Sequence, residues 1–370
     1  MTLRMLVHGP ANSLSGYGQD VIGLVRALIE AGVQVDLWPS SILPPVPPEV
    51  AALMTRTLAP PYDAVLLYNP PADITPWEFS GWGDKLIGWT MCESTPAQTG
   101  WLGDWYDPED PDQAAGHLWS RRPRRAVSGP KGWLDLLLVT CPMNVDAFAA
   151  LDPHVPIEVL TPGLRIEDWP ELRRDRDPGA PVVFGCEGVL GGRKDPATLF
   201  KAWDGFRAMY PGLDSRLELH VAGDPRECRA RAAARDDVVV HVGPWSQRQE
   251  LDWYQTVDCW VSTSRGEGVN KPAVQALATG MPVIAAPWGG HETWMHPDHS
   301  YAADYREVAT GDGDAMHVEV DASHVAELMG EAALDPQDRR RKGASGARFV
   351  AASLGWDRQV GELLRLVGRA

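Results

Sequence analysis

The chain has 370 residues, 44% of them hydrophobic and 23% charged, and its formal net charge is −16. This length accommodates two domains of ordinary size, and the composition is that of a folded globular protein. The acidic balance argues against duplex DNA as a partner, because DNA binding relies on Lys and Arg side chains that neutralise phosphates. The sequence shows no secretory leader and no apolar run long enough to span a membrane, so we expect a cytoplasmic protein without a transmembrane segment.

The cysteines are odd in number and lie among apolar neighbours, without the C-x-x-C spacing of a metal site. We therefore expect them to be reduced core residues and not zinc ligands. They are Cys92, Cys141, Cys186, Cys228 and Cys259.

Strand and helix patterns alternate along both halves of the chain. In the first half, strands are predicted at residues 3–8, 34–38, 64–68, 85–90 and 134–140, with a helix at 18–31. In the second half, strands are predicted at 181–186, 216–222, 238–242, 259–262 and 282–286, with helices at 198–209 and 247–256. The strands are short apolar runs, which suits parallel sheets covered on both faces.

A stretch rich in proline and charge, residues 161–181, separates the two halves and is predicted to be a linker. We therefore predict an α/β protein with two doubly wound domains, residues 1–165 and 175–350.

Two glycines, Gly16 and Gly18, lie between the first predicted strand and the first predicted helix. Glycine at such a junction lets the backbone approach a phosphate closely. The third glycine of a G-x-G-x-x-G dinucleotide motif is missing, and the second strand ends at Trp38 and Pro39, although Asp36 is near. A nicotinamide site is therefore poorly supported.

Two charged segments of the first half are expected to be solvated loops. The basic cluster at 121–125, beside Lys131, could instead face an acidic acceptor or an anionic lipid. The acidic loop at 101–112 lacks the spacing of a calcium-binding loop, and its Trp101 and Trp105 are candidates for an acceptor surface.

The segment at 264–280, S-R-G-E-G-V-N-K-P-A-V-Q-A-L-A-T-G, places an exposed acid, Glu267, in a loop after a buried strand. Open α/β sheets place their ligands at such carboxyl ends of strands. Pro272 suits a first helical position, and Gly280 ends the helix. The helix N-terminus favours a phosphate, while Glu267 could accept hydrogen bonds from sugar hydroxyls. The alternative is an ordinary strand, turn and packing helix.

This segment resembles the signature of the family 4 GT-B glycosyltransferases, S-R-x-E-G-F-G-L-P-x-x-E-A-x-A-x-G. The resemblance implies that Glu267 contacts the transferred sugar and that Asn270 and Lys271 belong to the donor site. Gln275 stands where the family has a second Glu that holds the ribose hydroxyls. A Gln amide can still accept such a hydrogen bond, at a loss on the order of 1 kcal/mol without charge assistance.

The first loop of the second half carries the cations that a pyrophosphate needs. The family typically has G-R-L-x-x-x-K-G there; Lys194 matches the Lys, but Val189 stands where the Arg belongs. Arg193 could substitute from the neighbouring position, or one cation and the helix N-terminus could suffice. A solvated Arg-Lys pair is the alternative.

A further candidate is Glu93 in W-T-M-C-E-S-T-P, which looks like a subgroup pattern Y-T-M-F-E-S-T. Many family members have a His near this point that is thought to contact the sugar. We predict that Glu93 contacts the sugar or the acceptor, the alternative being a structural turn, and that Cys92 packs in the core.

The resemblance implies a GT-B fold, with two Rossmann-like domains facing across a cleft and a C-terminal helix, about 355–370, that packs back on the first domain. It also implies transfer with retention from a nucleotide-sugar such as a UDP- or GDP-sugar, without a cofactor or a catalytic metal. The acceptor is left open: a glycan, lipid, protein or another hydroxyl compound. The alternatives are a non-catalytic nucleotide-sugar-binding protein and a sugar-nucleotide epimerase of GT-B shape.

Overall fold

The computed structural model describes residues 2–12, 15–43, 45–97, 134–151, 155–172, 179–311 and 313–369. The chain divides into two compact units. The first contains Met1–Arg165, Ala309–Met316 and Leu354–Ala370, and the second contains Ile166–Val308 and His317–Ser353. The basic cluster at 121–125, Lys131 and the loop with Trp101 and Trp105 lie outside the described residues.

Two six-stranded parallel sheets, one in each unit, form the framework of the described part of the chain. The first, in the order β2-β1-β3-β4-β5-β6, comprises β1 (Arg4–Asn12), β2 (Gln34–Leu43), β3 (Tyr62–Tyr68), β4 (Gly83–Thr90), β5 (Leu136–Val139) and β6 (Ile157–Val159). The second, in the order β12-β11-β10-β7-β8-β9, comprises β7 (Val182–Gly188), β8 (Ser215–Val221), β9 (Val238–Val242), β10 (Cys259–Val261), β11 (Val283–Ala285) and β12 (Ser300–Ala302). β13 (Tyr305–Ala309) and β14 (Met316–Val320) form a separate two-stranded sheet.

The α-helices of the described residues follow the strands in the alternation that the sequence predicts. They are α1 (Gly16–Glu30), α2 (Pro48–Met54), α3 (Pro142–Ala149), α4 (Pro196–Met209), α5 (Arg226–Ala232), α6 (Gln247–Tyr254), α7 (Lys271–Ala278), α8 (Ala322–Leu334), α9 (Pro336–Ser353) and α10 (Trp356–Arg369). None of them is both long enough and apolar enough to cross a membrane. The predicted α/β architecture with two parallel sheets is confirmed.

The sheet of the first unit is buried on both faces because alternate side chains of its strands enter two different cores. Met5 and Val7 of β1 pack with helices α1, α2 and α10, whereas Leu6 packs on the opposite face with Phe79 and Phe148. Period-2 alternation within an all-apolar strand produces this double burial.

The second sheet contains the topological feature that positions a site. Its strand order reverses between β7 and β10, which are hydrogen-bonded neighbours although about 70 residues separate them in the chain. The loops that leave the carboxyl ends of these two strands therefore meet at one edge of the sheet. Open α/β sheets bind ligands at this kind of switch point.

Asn12 at the end of β1 and the start of α1 are in direct contact in the first unit. Asn12 Oδ1 accepts a hydrogen bond from the Ser15 amide at 2.8 Å, and Ser15 Oγ caps α1 by accepting from the Gly18 amide at 3.1 Å. A Cβ at Gly18 would lie 2.2 Å from the Asn12 carbonyl oxygen, whereas a Cβ at Gly16 would meet nothing within 4 Å. Gly18 is therefore required by packing, and Gly16 is not.

Gly18→Ala should destabilise the first unit by about 1–3 kcal/mol, because the added methyl group must displace the Asn12 backbone. The matched variant Gly16→Ala should be neutral or slightly stabilising, because alanine favours a helix more than glycine does. Urea unfolding of the two variants measures the difference. Equal stabilities would show that this contact relaxes without cost.

Candidate functional site

A cluster of one carboxylate and two cations lies where the loops after β7 and β10 meet. Lys194 Nζ donates to Glu267 Oε1, and Arg193 Nη1 lies 3.1 Å from Glu267 Oε2. Arg193 also donates to the Gly266 carbonyl and lies 3.3 Å from Ser264 Oγ. The structure thus brings together Glu267, Arg193 and Lys194, which the sequence places in two separate motifs.

Backbone hydrogen bonds fix the two loops against each other. The Arg265 amide donates to the Arg193 carbonyl at 2.8 Å, and Thr263 Oγ1 donates to the Asp195 carbonyl at 2.9 Å. Asp195, in the left-handed region at φ 45°, caps α4 through the amide of Thr198 at 3.1 Å. The cations are therefore held on a short, anchored loop, and their position relative to Glu267 does not depend on side-chain flexibility alone.

The predicted exposure of Glu267 is wrong, because the residue is only 4% exposed. Burial by itself raises the pKa of the Glu267 carboxyl, but Lys194 and Arg193 outweigh that effect and hold the pKa well below its usual value. Glu267 is thus a buried anion. The local sequence suggests an exposed loop acid because its two partners lie 73 and 74 residues away in the chain.

Positive potential extends beyond the ion cluster. The half-buried His317 has its pKa lowered to about 4, first by burial and then by the nearby charges of Arg265 and Arg193. The described charges around the Arg193 loop therefore disfavour a further cation and favour an anion.

Helix α7 starts next to this cluster. Asn270, its N-cap, has φ 64° and ψ 65°, a left-handed conformation that Gly and Asn adopt most readily. The sequence predicts Pro272 as the first helical residue. The helix begins one residue earlier, at Lys271, so Pro272 is the second. Proline fits there as well, because amides of the first turn have no partner within a helix.

Gln275 lies on α7 and is 6% exposed. Within the described ranges, its side-chain amide makes no hydrogen bond. Its amide atoms are not among the fully buried, unpartnered atoms of these residues, so they reach solvent. Gln275 is therefore available to a ligand that reaches this helix.

Three contacts from the segment Gly289–Trp294 hold the Glu267 loop from the other side. The Gly290 amide donates to the Glu267 carbonyl at 2.7 Å, and the Trp294 indole donates to the Val269 carbonyl at 2.7 Å. The third is between Asn270 Nδ2 and His291 Nε2 at 2.9 Å. A Cβ at Gly290 would lie 2.3 Å from the Gly268 backbone, so the fit requires glycine. Sequence reasoning missed His291; the Gly-Gly-His run after β11 is the available signal.

The remaining residues singled out in the sequence do not join this cluster. Gly16, Gly18 and Glu93 belong to the first unit, where Glu93 is half-buried. Cys92 is fully buried and its pKa is raised by burial, which confirms its predicted core position. Val189 is 66% exposed and supplies no charge at the position of the family Arg. The five cysteines are all buried and free, as expected.

A family model described as glycosyl transferases group 1 matches residues 182–317. Among curated sequences, the chain is 29% identical over 235 residues to a D-inositol 3-phosphate glycosyltransferase of Stackebrandtia nassauensis. That match covers 61% of this chain and 49% of the relative. The chain therefore spans about half the length of this relative.

Two solved structures resemble the fold over nearly the whole chain. Sucrose-phosphate synthase of Thermosynechococcus elongatus has a TM-score of 0.68 at 16% identity and covers 99% of both chains. Anabaena HepE in complex with UDP-glucose has a TM-score of 0.62 at 14% identity, covering 98% of this chain and 99% of that one. These likenesses confirm the predicted GT-B fold class, while the narrower assignment to family 4 stays a prediction. The chain thus has a GT-B fold, and its residues 182–317 match the glycosyl transferases group 1 family.

Proposed function

We propose that the protein is a retaining glycosyltransferase that moves a sugar from a nucleotide-sugar to an acceptor hydroxyl. The observation that carries the proposal is the buried carboxylate of Glu267 between two cations, at the switch point of a parallel sheet. A nucleotide-sugar presents a doubly charged pyrophosphate next to a polyhydroxylated ring, and this cluster offers partners to both. The group 1 family match and the UDP-glucose complex of Anabaena HepE support the same ligand class.

The charge balance of the cluster suits a pyrophosphate. Arg193 and Lys194 together carry one more positive charge than Glu267 neutralises. An incoming pyrophosphate would share both cations with Glu267. The start of α7 adds the partial positive charge of a helix N-terminus.

In the proposed reaction, an acceptor oxygen attacks the anomeric carbon on the face from which the nucleoside diphosphate leaves. The new carbon–oxygen bond forms as the bond to the phosphate oxygen breaks, and the acceptor proton passes to the departing phosphate. Lys194 and Arg193 stabilise the charge that grows on that phosphate, and preorganised cations of this kind supply large rate effects. Glu267 would accept hydrogen bonds from the sugar ring. We propose that these residues suffice without a catalytic metal.

Gln275 would take the ribose hydroxyls in this scheme. Its amide makes no hydrogen bond within the part of the chain that the structure describes, and its atoms reach solvent, so the amide is free to bond a hydroxyl. Glu93 in the first unit remains a candidate contact to the sugar or acceptor. The acceptor class, the nucleotide, the cytoplasmic location and the exclusion of duplex DNA stay predictions.

A non-catalytic nucleotide-sugar-binding protein is the second candidate. It is favoured by the neutral Gln275 and the exposed, uncharged Val189, where the resembling family has two charged residues. A transfer assay decides between the two. The protein is incubated, with EDTA present, with UDP- and GDP-sugars and a panel of glycan, lipid and inositol phosphate acceptors. Transfer with retained anomeric configuration, read by NMR, supports the enzyme, and binding without turnover supports the alternative. Sugar-nucleotide isomerisation without an acceptor would indicate an epimerase.

Glu267→Gln should lower transfer by about a hundredfold or more, because a neutral amide is a weaker partner for sugar hydroxyls in the transition state. The same change should tighten binding of the bare nucleoside diphosphate, because it removes the carboxylate that competes for Arg193 and Lys194. Kinetics and calorimetry measure the two effects. Glu307→Gln, an exposed carboxylate of the second unit, is the control. Normal turnover by folded Glu267→Gln would exclude its proposed role.

Lys194→Ala should weaken nucleoside diphosphate affinity and transfer together, each by about tenfold or more, because the cation faces the pyrophosphate before and during its departure. Lys201→Ala, at an exposed position of α4, should change neither. If both variants titrate like the wild type, Lys194 serves only as the counterion of Glu267.

Gln275→Glu should retain or tighten nucleotide binding by restoring a charge-assisted hydrogen bond, whereas Gln275→Leu should weaken it by about three- to tenfold. Titration of UDP and GDP into the two variants tests this divergence. If the wild type, Gln275→Glu and Gln275→Leu bind the nucleotide with equal affinity, the ribose does not contact Gln275.

A further inference from the structure

Asn270 and His291 form a buried pair whose hydrogen bonds determine each other. Both residues are almost completely buried, at 7% and 2% exposure. His291 Nδ1 lies 2.7 Å from the Ala286 carbonyl oxygen, and its Nε2 lies 2.9 Å from Asn270 Nδ2. Asn270 Nδ2 lies also 3.1 Å from Ser262 Oγ.

The protons of this pair follow from the acceptors. A backbone carbonyl can only accept, so Nδ1 of His291 must carry a proton and donate it to Ala286. Burial lowers the pKa of His291, which favours the neutral ring, and a neutral ring with a proton on Nδ1 has an acceptor at Nε2. The atom of Asn270 that faces Nε2 must therefore be the NH₂ group.

This arrangement leaves one atom of Asn270 unused. Its two N–H groups donate to His291 and Ser262, and Oδ1 has no hydrogen-bond partner among the residues that the structure describes. Asn270 follows Glu267 by three positions, in the loop that the segment Gly289–Trp294 holds in place. The family signature has glycine where Asn270 stands, and glycine has no side-chain acceptor at this position.

We infer that His291 is a positioning residue that orients the Asn270 side chain, so that its oxygen accepts a hydroxyl of the transferred sugar. The inference rests on the proposed function and deepens it, because it assigns a sugar-specific contact that the nucleotide does not share. Asn270 then selects donors with a hydroxyl at the contacted ring position. Sites built to bond a hydroxyl discriminate strongly against analogues that lack it.

Protonation of His291 would reverse the orientation. An imidazolium has no acceptor at Nε2, so Asn270 would have to turn its oxygen toward the ring and its NH₂ group toward the sugar. The charged groups around His291 are Glu267, which favours protonation, and Lys194 and Arg193, which oppose it. Because burial holds the pKa of His291 below its usual value, the ring is neutral at neutral pH and the sugar contact is lost on acidification.

The test compares a nucleotide-sugar with its bare nucleoside diphosphate. The wild type is first titrated with a panel of UDP- and GDP-sugars, and the tightest one is used for all variants. Asn270→Gly, which suits the left-handed backbone, should weaken the nucleotide-sugar about three- to tenfold while the bare nucleoside diphosphate stays within about twofold. His291→Leu should show the same split, and His291→Gln, whose amide oxygen can accept from Asn270, should restore wild-type affinity. His324→Leu on α8 is the control and should match the wild type.

Two further measurements test the inference even if the His291→Leu variant does not fold. On acidification, the nucleotide-sugar affinity of the wild type should fall relative to its affinity for the bare diphosphate, and that of His291→Gln should not. Imidazole ¹⁵N chemical shifts should show His291 neutral with its proton on Nδ1 at neutral pH, in the absence of any ligand.

The outcomes separate this inference from the proposed function. If the wild type binds no nucleotide-sugar, the proposed function fails. If it binds one but Asn270→Gly and His291→Leu lose sugar and bare diphosphate equally, or lose neither, the inference alone is overturned. A protonated or Nε2–H ring at neutral pH also overturns it.

Discussion

The ion pair network of Glu267 with Arg193 and Lys194 is the interaction on which the candidate site depends. A carboxylate that is 4% exposed stays charged because two cations lie beside it, and it neutralises one of their two charges. The network joins loops from β7 and β10, so the reversal of strand order in the second sheet is its structural cause. A ligand anion therefore enters a site whose charges are already arranged, at the cost of competing with Glu267.

The sequence predicts the framework well because the framework follows from local patterns. Apolar runs located five of the six strands in each sheet, and β9 has the predicted bounds, 238–242. The short edge strands β6 and β12 were not predicted. Ends were less accurate: β1 continues to Asn12 and β2 to Leu43, beyond the predicted ends at 8 and 38, because pairing with a neighbouring strand extends them past their apolar segments. The motif residues Glu267, Arg193 and Lys194 were identified from spacing and resemblance, although their roles stay predictions.

Long-range contacts explain what the sequence could not predict. The sequence around Glu267 does not predict that this residue is buried, because its ion-pair partners lie on another loop. His291 has the same difficulty: it follows Asn270 by 21 residues, and only the packing of Gly289–Trp294 on the Glu267 loop unites them. Gly18 was selected for a phosphate-binding role, yet contact with Asn12 already requires a glycine there. A single residue in a sequence motif can therefore serve packing or function, and only its contacts in the folded chain show which.

The first unit is assembled from distant parts of the chain, and this affects the order in which the protein folds during synthesis. Trp356 of α10 covers Gly23 and Gly163 so closely that a Cβ at either would lie within 3 Å of its ring, and Val360 and Leu363 complete the same core. The core around the amino-terminal sheet therefore lacks residues 354–370 until the end of translation. All segments of the second unit are synthesised before them. The core of the unit that begins the chain is therefore complete only when the last segment of the chain has been synthesised.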